Sequence, residues 1–319
     1  MEMEAAVNYF NEPLVSIIIP VYNARNVIED CLNSVFNINY KNFEVIIVDD
    51  CSNDKSADFI QKNYPQVKVL TTKRNCGFAG SVNLGIKNSC GDIVALLNMD
   101  TIVDKGWLNS MANVLTDYVS IGLVGSKILF PDKKTIQHAG GLLRENAVSL
   151  HIGRGELDQG QFEFKREVDY ICGASLAFKR ELLGEIGMFD KKYTPLYYED
   201  ADFAFRTRLV GKKVMYIPNS VLIHKENVSV GGLSKAFYYY YHKSRLRFLF
   251  KNYSFKNIFS KSLREELRWF FYELPIEIRS TLLRVYLGSF LIIFSLLVKR
   301  GGVYVYNRLF FLIKKRSKK

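Results

Sequence analysis

Three aspartates stand where an apolar run or a helix start gives way to chemistry: Asp50, Asp100 and Asp200. Asp50 lies in Val48-Asp49-Asp50-Cys51-Ser52-Asn53-Asp54. Adjacent carboxylates repel unless a cation or hydrogen-bond donors share them. One of this pair can accept hydrogen bonds from a nucleobase or ribose; alternatively Asp50, Ser52 or Asp54 caps the next helix. Asp100 closes Asn98-Met99-Asp100. Mg²⁺ takes one or two carboxylates plus substrate phosphates, so one aspartate facing a diphosphate meets that need. A turn, or a cap for a helix around Trp107, is the simpler role. Asp200 lies in Tyr197-Tyr198-Glu199-Asp200-Ala201-Asp202. Acids at a helix start are favoured by its dipole, and a carboxylate there can also serve as general base for a hydroxyl. Asp202 and Arg206 are spaced i, i+4, as a structural ion pair requires.

Two further features carry chemistry. Asn75-Cys76-Gly77-Phe78-Ala79-Gly80-Ser81-Val82-Asn83-Leu84-Gly85 is glycine-rich and opens a helix. Its amides can approach a ligand closely, or its glycines can let the helix pack close to a sheet. No Gly-Lys-Ser/Thr follows, and the segment comes after the third strand-like run, which excludes a P-loop and a dinucleotide fingerprint. His224 ends Val-Leu-Ile-His; neutral imidazole is a common metal ligand, though a lone histidine is usually a packing residue.

The elements that position these residues are short and apolar. Runs at 14–19, 44–48, 92–97 and 121–124 lack alternation, as strands buried on both faces do. Val27, Ile28, Cys31, Leu32, Val35 and Phe36 recur at helical spacing, with Asn26 as the expected cap. Residues 54–63 and 78–88, and Trp107 to Leu115, give further helices. Strand alternating with helix predicts an α/β domain with a mostly parallel sheet, whose ligands bind beyond the carboxyl ends of the strands. Beyond 125 the sequence predicts a hairpin and loops over 127–170, an apolar stretch at 170–178, helices near 180–186 and from Asp200, and a strand at 213–217 ending at Pro218. From about 233 the chain is helical and aromatic-rich.

The net charge of +12 is unevenly placed: residues 1–240 carry −2 and residues 241–319 carry +14. The basic part is therefore expected to meet an acidic surface. The five cysteines, an odd number without C-x-x-C spacing, fit a reducing compartment. The N-terminal residues have no basic segment and no apolar run, so no signal peptide is expected.

The order of the motifs says more than any one of them. Val15-Ser-Ile-Ile-Ile-Pro-Val-Tyr-Asn23, Val48 to Asp54, Asn75-x-Gly-Phe-Ala-Gly-x-x-Asn83, Leu97-Asn-Met-Asp-Thr101, Gly173-Ala174-Ser175, Glu199-Asp-Ala-Asp202 and His224 follow one another. The set, over about 13–250, resembles the family 2 inverting glycosyltransferases with the GT-A fold, and within them the rhamnosyltransferase-like branch. That resemblance implies a Rossmann-like nucleotide-sugar-binding sheet with helices on both faces. It implies that Pro20, Val21, Tyr22 and Asn23 line the nucleotide, that Asp50 contacts the base with Asp49 beside it, and that Asn75, Gly77 and Asn83 flank nucleotide and sugar. Asn98 and Met99 join the donor side; Asn98 replaces the first aspartate of the family's Asp-x-Asp motif, which leaves fewer anionic ligands. Asp100 and His224 would hold Mg²⁺ or Mn²⁺, Gly173 and Ala174 would face acceptor and donor sugar, and Asp200, with Glu199, would be the catalytic base. The implied donor is a nucleoside-diphosphate sugar and the implied acceptor a glycan or lipid-linked saccharide of a cell-surface polysaccharide.

The expected division is a catalytic domain over 13–232, with a nucleotide half at 13–126 and an acceptor half at 127–232, and a helical, basic region at 233–319. Residues 282–298 form the most apolar run, and with the basic residues up to 319 they suit a helix in the interface of an anionic membrane. Docking on the catalytic domain, a homodimer through these helices, and a helix crossing the bilayer are the alternatives. A cytoplasmic protein, peripheral at the inner face of the cell membrane, follows. Glu265-x-x-Arg268-Trp269 is similar to the Gln-x-x-Arg-Trp element of processive synthases but stands too far from Asp200. Among other readings, a nucleotidyltransferase would want a glycine-rich loop after the first strand, which Pro20-Val-Tyr-Asn-Ala-Arg25 lacks. A nucleic-acid partner is not expected, because the catalytic half is slightly acidic. A catalytically inactive scaffold would have no need of Asp50, Asp100, Asp200 and His224 together.

Overall fold

The computed structural model describes residues 12–225 and 234–290. Its first part alternates β1 (Val15–Val21), α1 (Ile28–Val35), β2 (Phe43–Asp49), α2 (Ser56–Asn63), β3 (Lys68–Thr71), α3 (Gly77–Lys87) and β4 (Ile93–Leu97). β1 pairs in parallel with β2 and β4, and β2 with β3. The apolar runs are unbroken because both faces are covered. Ile17 and Ile19 of β1 join one core with α1 and Trp107, while Ile18 joins the other with Val82 and Ile86 of α3. Gly85 allows that approach: a Cβ there would lie 2.5 Å from the Ile18 side chain. The first helix begins after Val27, with no side-chain cap, so Asn26 does not take the expected capping role.

The second part adds β5 (Thr101–Val103), α4 (Trp107–Asp117), β6 (Ile121–Leu129), β7 (Ile136–His138), a hairpin of β8 (Gly141–Leu143) and β9 (Ser149–His151), β10 (Arg166–Glu167), β11 (Ser175–Lys179), α5 (Leu182–Ile186), α6 (Glu199–Leu209) and β12 (Lys213–His224). The sheet runs β10-β12-β6-β11-β4-β1-β2-β3, with β5 on β12 and β7 on β6. β11 is antiparallel to both β4 and β6. Its start therefore shares an edge with the end of β4. This is the α/β fold expected, with helices on both faces.

Two strands outrun their sequence limits. β6 continues past 124 to Leu129. β12 does not stop at Pro218 but passes through it to His224, with a register irregularity between Ile217 and Val221. A proline that cannot donate to the ladder is tolerated at such a bulge. His224 thus ends a strand rather than sitting in a loop beyond one.

After the undescribed residues 226–233, which hold the expected boundary between 232 and 233, α7 (Lys235–Asn252) packs on α6. Asp202 is the tie, fully buried and bonded to Arg206 (2.9 Å), Lys251 (2.7 Å) and Tyr193 (3.1 Å). The i, i+4 pairing is as expected. A helical stretch over 255–273 follows, with wide i→i+5 turns at Ile258–Ser262 and Trp269–Glu273, then a helix from 276. Arg245 of α7, fully buried, forks onto Glu266 (2.7 and 2.5 Å), donates to the Asn146 carbonyl (2.8 Å) and lies over the Trp269 ring. Among the described residues no helix is long and apolar enough to cross a membrane. The expected 282–298 run is described only as far as 290.

Removing one partner of a buried ion pair strands the other. Arg245→Ala should lower the unfolding free energy by about 3–5 kcal/mol in urea titrations. Arg245→Met with Glu266→Leu should recover much of that loss.

Candidate active site

The polar residues gather at the carboxyl edge of β1, β2 and β4. Asp49 ends β2 opposite Val21 of β1, and the Val21 carbonyl accepts from Asp50 N (2.7 Å). Asp50 is buried and fully employed. Its carboxylate accepts from Cys76 N (2.8 Å), Gly77 N (2.9 Å) and Thr72 Oγ1 (2.9 Å). It therefore fixes the glycine-rich start of α3, a positioning role that sequence reading did not assign. Beside it, Asp49 Oδ2 accepts from Ser52 N (3.2 Å), while its buried Oδ1 has no protein donor. Asn23, at φ 54°, straps the two loops together, donating from its amide to Ser52 and accepting from Asn53 N (3.0 Å). Tyr22 stands 43% exposed above this edge, with its amide on Met99 Sδ (3.4 Å); Pro20 is half-buried.

Gly77 adopts φ 73°, and a Cβ there would lie 2.7 Å from the Pro195 carbonyl. Both facts require glycine. Asn75 turns its side chain back onto Gly77 N (3.2 Å). Asn83 does not reach this edge. It clamps the Phe189 backbone with both ends of its amide (2.8 and 3.1 Å) and is buried there. The structure gives it a structural position rather than the donor-flanking one expected.

Asp100 and His224 meet because β5 pairs antiparallel with the end of β12, His224 opposite Thr101. His224 Nε2 lies 3.2 Å from Asp100 Oδ1 and 3.4 Å from the Asn98 amide. Its Nδ1 lies 2.8 Å from buried Gln137 Oε1. An amide oxygen can only accept, so Nδ1 carries a proton and donates. A second partner that fixes the tautomer in this way is characteristic of metal-ligating histidines. A cation shared between Nε2 and the carboxylate fits this donor set. Two protein ligands, completed by phosphate oxygens and water, suit Mg²⁺ or Mn²⁺; no group of three or more His, Cys, Asp or Glu side chains poised for a metal occurs among the described residues.

The acceptor side is built on the antiparallel β11. Gly173 and Ala174 precede it, Ala174 O accepting from Asn98 N (3.0 Å) and Gly173 N donating to Asp200 Oδ2 (2.9 Å). The turn is held from behind by fully buried His138, whose Nε2 accepts from Cys172 N (3.3 Å) and whose Nδ1 lies 2.9 Å from His151 Nδ1. Burial, then His151, pushes the His138 pKa well below its usual value, so it stays neutral. Tyr197 and Tyr198 both have positive φ (78° and 70°) just before α6. Such backbone is costly for aromatic residues and persists only where surroundings over-determine it. Here Tyr198 OH donates to the Ala147 carbonyl (2.6 Å).

Asp200 and Glu199 are next to each other but differ. Burial raises the Asp200 pKa, opposed by amides from Gly173 and Ala201 (2.7 Å). Glu199 is buried with Oε2 unpartnered, and burial and then Asp200 push its pKa well up. The pair titrates together; the amide-bonded Asp200 is the group that ionises first.

The profile of glycosyl transferase family 2 matches residues 16–187, more than half of the chain. The chain belongs to that family. It is 30% identical over 231 residues (69% of this chain, 25% of the relative) to an uncharacterized protein of Sinorhizobium fredii. It is 25% identical over 224 residues (69% of this chain, 52% of the relative) to poly-beta-1,6-N-acetyl-D-glucosamine synthase of Staphylococcus epidermidis. The chain thus spans a quarter to about half of these relatives. Among solved structures, GalNAc-T7 with UDP, GalNAc and Mn²⁺ superposes with a TM-score of 0.62 at 16% identity, covering 87% of this chain and 55% of that one. That likeness shows a GT-A-like fold. In this family 2 chain the sequence motifs did not reveal Gln137, His138 or Thr72, and gave Tyr198 no role; the first two lie in the loop-rich stretch, where no spacing marks them.

Gln137→Leu leaves the His224 tautomer unfixed. Mn²⁺ affinity, measured by calorimetry with a nucleoside diphosphate present, should fall about 10–100-fold. An unchanged affinity would remove His224 from the metal site.

Proposed function

We propose that the chain transfers a sugar from a nucleoside-diphosphate sugar to an acceptor hydroxyl, with inversion, and that Asp200 is the base. The observation that carries this reading is the contrast at the start of α6. A general base must be ionised and within reach of the hydroxyl. Asp200 is held for ionisation by two backbone amides at the Gly173 turn, whereas Glu199 is buried with one oxygen unpartnered.

The chain's own residues then divide the work. Tyr22 offers an exposed ring to a base, and the orphaned Oδ1 of Asp49 offers an acceptor to a nucleoside N–H or O–H. Asp50 keeps the Asn75–Gly77 turn, and so the start of α3, against that edge. Asp100 and His224 would hold Mg²⁺ or Mn²⁺, which when bound neutralises charge on the leaving diphosphate. Asp200 takes the proton of the acceptor hydroxyl as the new bond to the anomeric carbon forms. One displacement inverts the configuration. No covalent sugar–enzyme intermediate is required. Membership of the rhamnosyltransferase-like branch, and a glycan or lipid-linked acceptor in polysaccharide synthesis, rest on the motif order and on the likeness to a polysaccharide synthase. Donor sugar and linkage are read by the experiment.

Purified protein with Mg²⁺ or Mn²⁺ should show a thermal shift or hydrolysis with at least one nucleoside-diphosphate sugar in a panel; a well-folded protein answering none would refute the reading. Asp200→Asn should keep donor binding but lose about a hundredfold or more in transfer. Glu199→Gln, which copies a neutral carboxyl, should stay within a few-fold of wild type. Because the raised Asp200 must lose its proton to act, the rate should rise with pH through a limb lying above the usual aspartate range. The reverse pattern for the two variants would make Glu199 the base.

A further inference from the structure

Along the arm over 255–290, Glu265 and Glu266 turn towards the domain, Ile258, Trp269, Leu274, Leu282 and Val285 are buried, and a separate row of apolar side chains is left in water. Glu265 and Glu273 pair with Arg144 (both 2.6 Å), and Glu266 with buried Arg245 (2.5 Å). Facing solvent are Phe255, Phe259, Leu263, Leu267 and Phe271, at 42, 70, 48, 51 and 57% exposure. Their spacing is four throughout. In a straight α-helix a four-residue step drifts about 40° around the axis, since each turn takes 3.6 residues. Four such steps would carry the row off one face. The wide turns at Ile258–Ser262 and Trp269–Glu273 take more residues per turn and rotate the row back. The helix is wound so that the ridge stays on one side. Leu283 and Leu287, 51 and 80% exposed, extend the apolar character onto the next helix.

Charge accompanies the ridge. Lys256, Lys261, Arg264, Arg268 and Arg284 are exposed along 255–290, against exposed Glu273 and Glu277, and Glu273 is already bonded to Arg144 and Arg268. A surface helix normally turns its polar face to water. An exposed apolar ridge rimmed by cations fits the boundary of headgroups and acyl chains. We propose that this ridge docks the protein on an anionic lipid bilayer. A second copy of the chain is a poorer occupant, because a two-fold contact sets each patch against its own kind, and here that is cation against cation.

The docking face is rigidly joined to the acceptor side. Arg144 and the Asn146 carbonyl are held by this arm and α7. One residue on, the Ala147 carbonyl receives the Tyr198 hydroxyl, two residues before Asp200. A bilayer under the ridge would therefore lie in fixed relation to the base, as an acceptor carried on a lipid needs. The docking itself does not depend on the catalytic reading, and its test uses no donor.

The full chain is to be floated with vesicles of phosphatidylcholine alone or mixed with phosphatidylglycerol. Wild type should bind the anionic vesicles and not the neutral ones. Leu263→Gln with Leu267→Gln and Phe271→Gln should weaken binding about tenfold for each side chain, with thermal unfolding unchanged. Should that variant fold poorly, Lys256→Gln with Lys261→Gln and Arg264→Gln touches only exposed charges. It should lose about fivefold per charge on anionic vesicles. No binding by wild type, or unchanged binding by both variants, would overturn the proposal. So would an apolar variant that turns a dimer into a monomer while still binding vesicles, since the ridge would then be a subunit interface.

Discussion

Backbone amides donated to buried carboxylates are the interactions on which this site depends. Asp50 and Asp200 are each held by amides from a segment distant in sequence: Cys76 and Gly77 for the first, Gly173 for the second. A buried carboxylate without such partners would cost several kcal/mol or stay protonated. Each bond therefore does two things. It keeps a charge inside the protein, and it fixes a glycine turn against the edge where ligands bind in open α/β sheets.

The antiparallel β11 makes the second of these bonds possible. In a wholly parallel sheet every strand would bring its carboxyl end to the ligand edge. β11 brings its amino end instead, so the Cys172–Ala174 turn contributes amide donors where its neighbours contribute carbonyls and aspartates. Behind it, neutral His138 supplies an acceptor for Cys172 N. The same economy operates at Asp100 and His224, which meet through the β5–β12 pairing rather than through nearness in sequence.

Stability and position are joined outside the site as well. Asp202, one turn into α6 and three residues from Glu199, is spent on Arg206, Lys251, Tyr193 and Asn252. It anchors the helix that the strained Tyr197–Tyr198 backbone leads into. Arg245 and Arg144 then bind the C-terminal arm to the 144–149 turn that Tyr198 grips. A chain of ion pairs thus runs from the arm to the start of α6.

The sequence by itself determined what is local. Unbroken apolar runs announced strands buried on both faces, helical spacing announced their covering helices, and the order of the motifs announced the family. The i, i+4 pairing of Asp202 with Arg206 needed nothing more than helix geometry. What depended on long-range contact was decided only by the tertiary structure. Asp50 and Asp49 are indistinguishable as neighbours in a motif; which is saturated by α3 and which keeps an orphaned oxygen depends on where residues 72–77 return. Asn83 belongs to a glycine-rich motif, yet its amide is taken by Phe189, over a hundred residues away. β12 passes Pro218 because β6 supplies a partner on the far side of a bulge. Gln137 and His138 carry no spacing signal at all, since their roles arise from hydrogen bonds to His224 and Cys172. And Asp200 is set apart from Glu199 by the amides of Gly173 and Ala201, the first brought from a distant turn, because a proton's preference between two adjacent carboxyls is fixed by the donors folded around them.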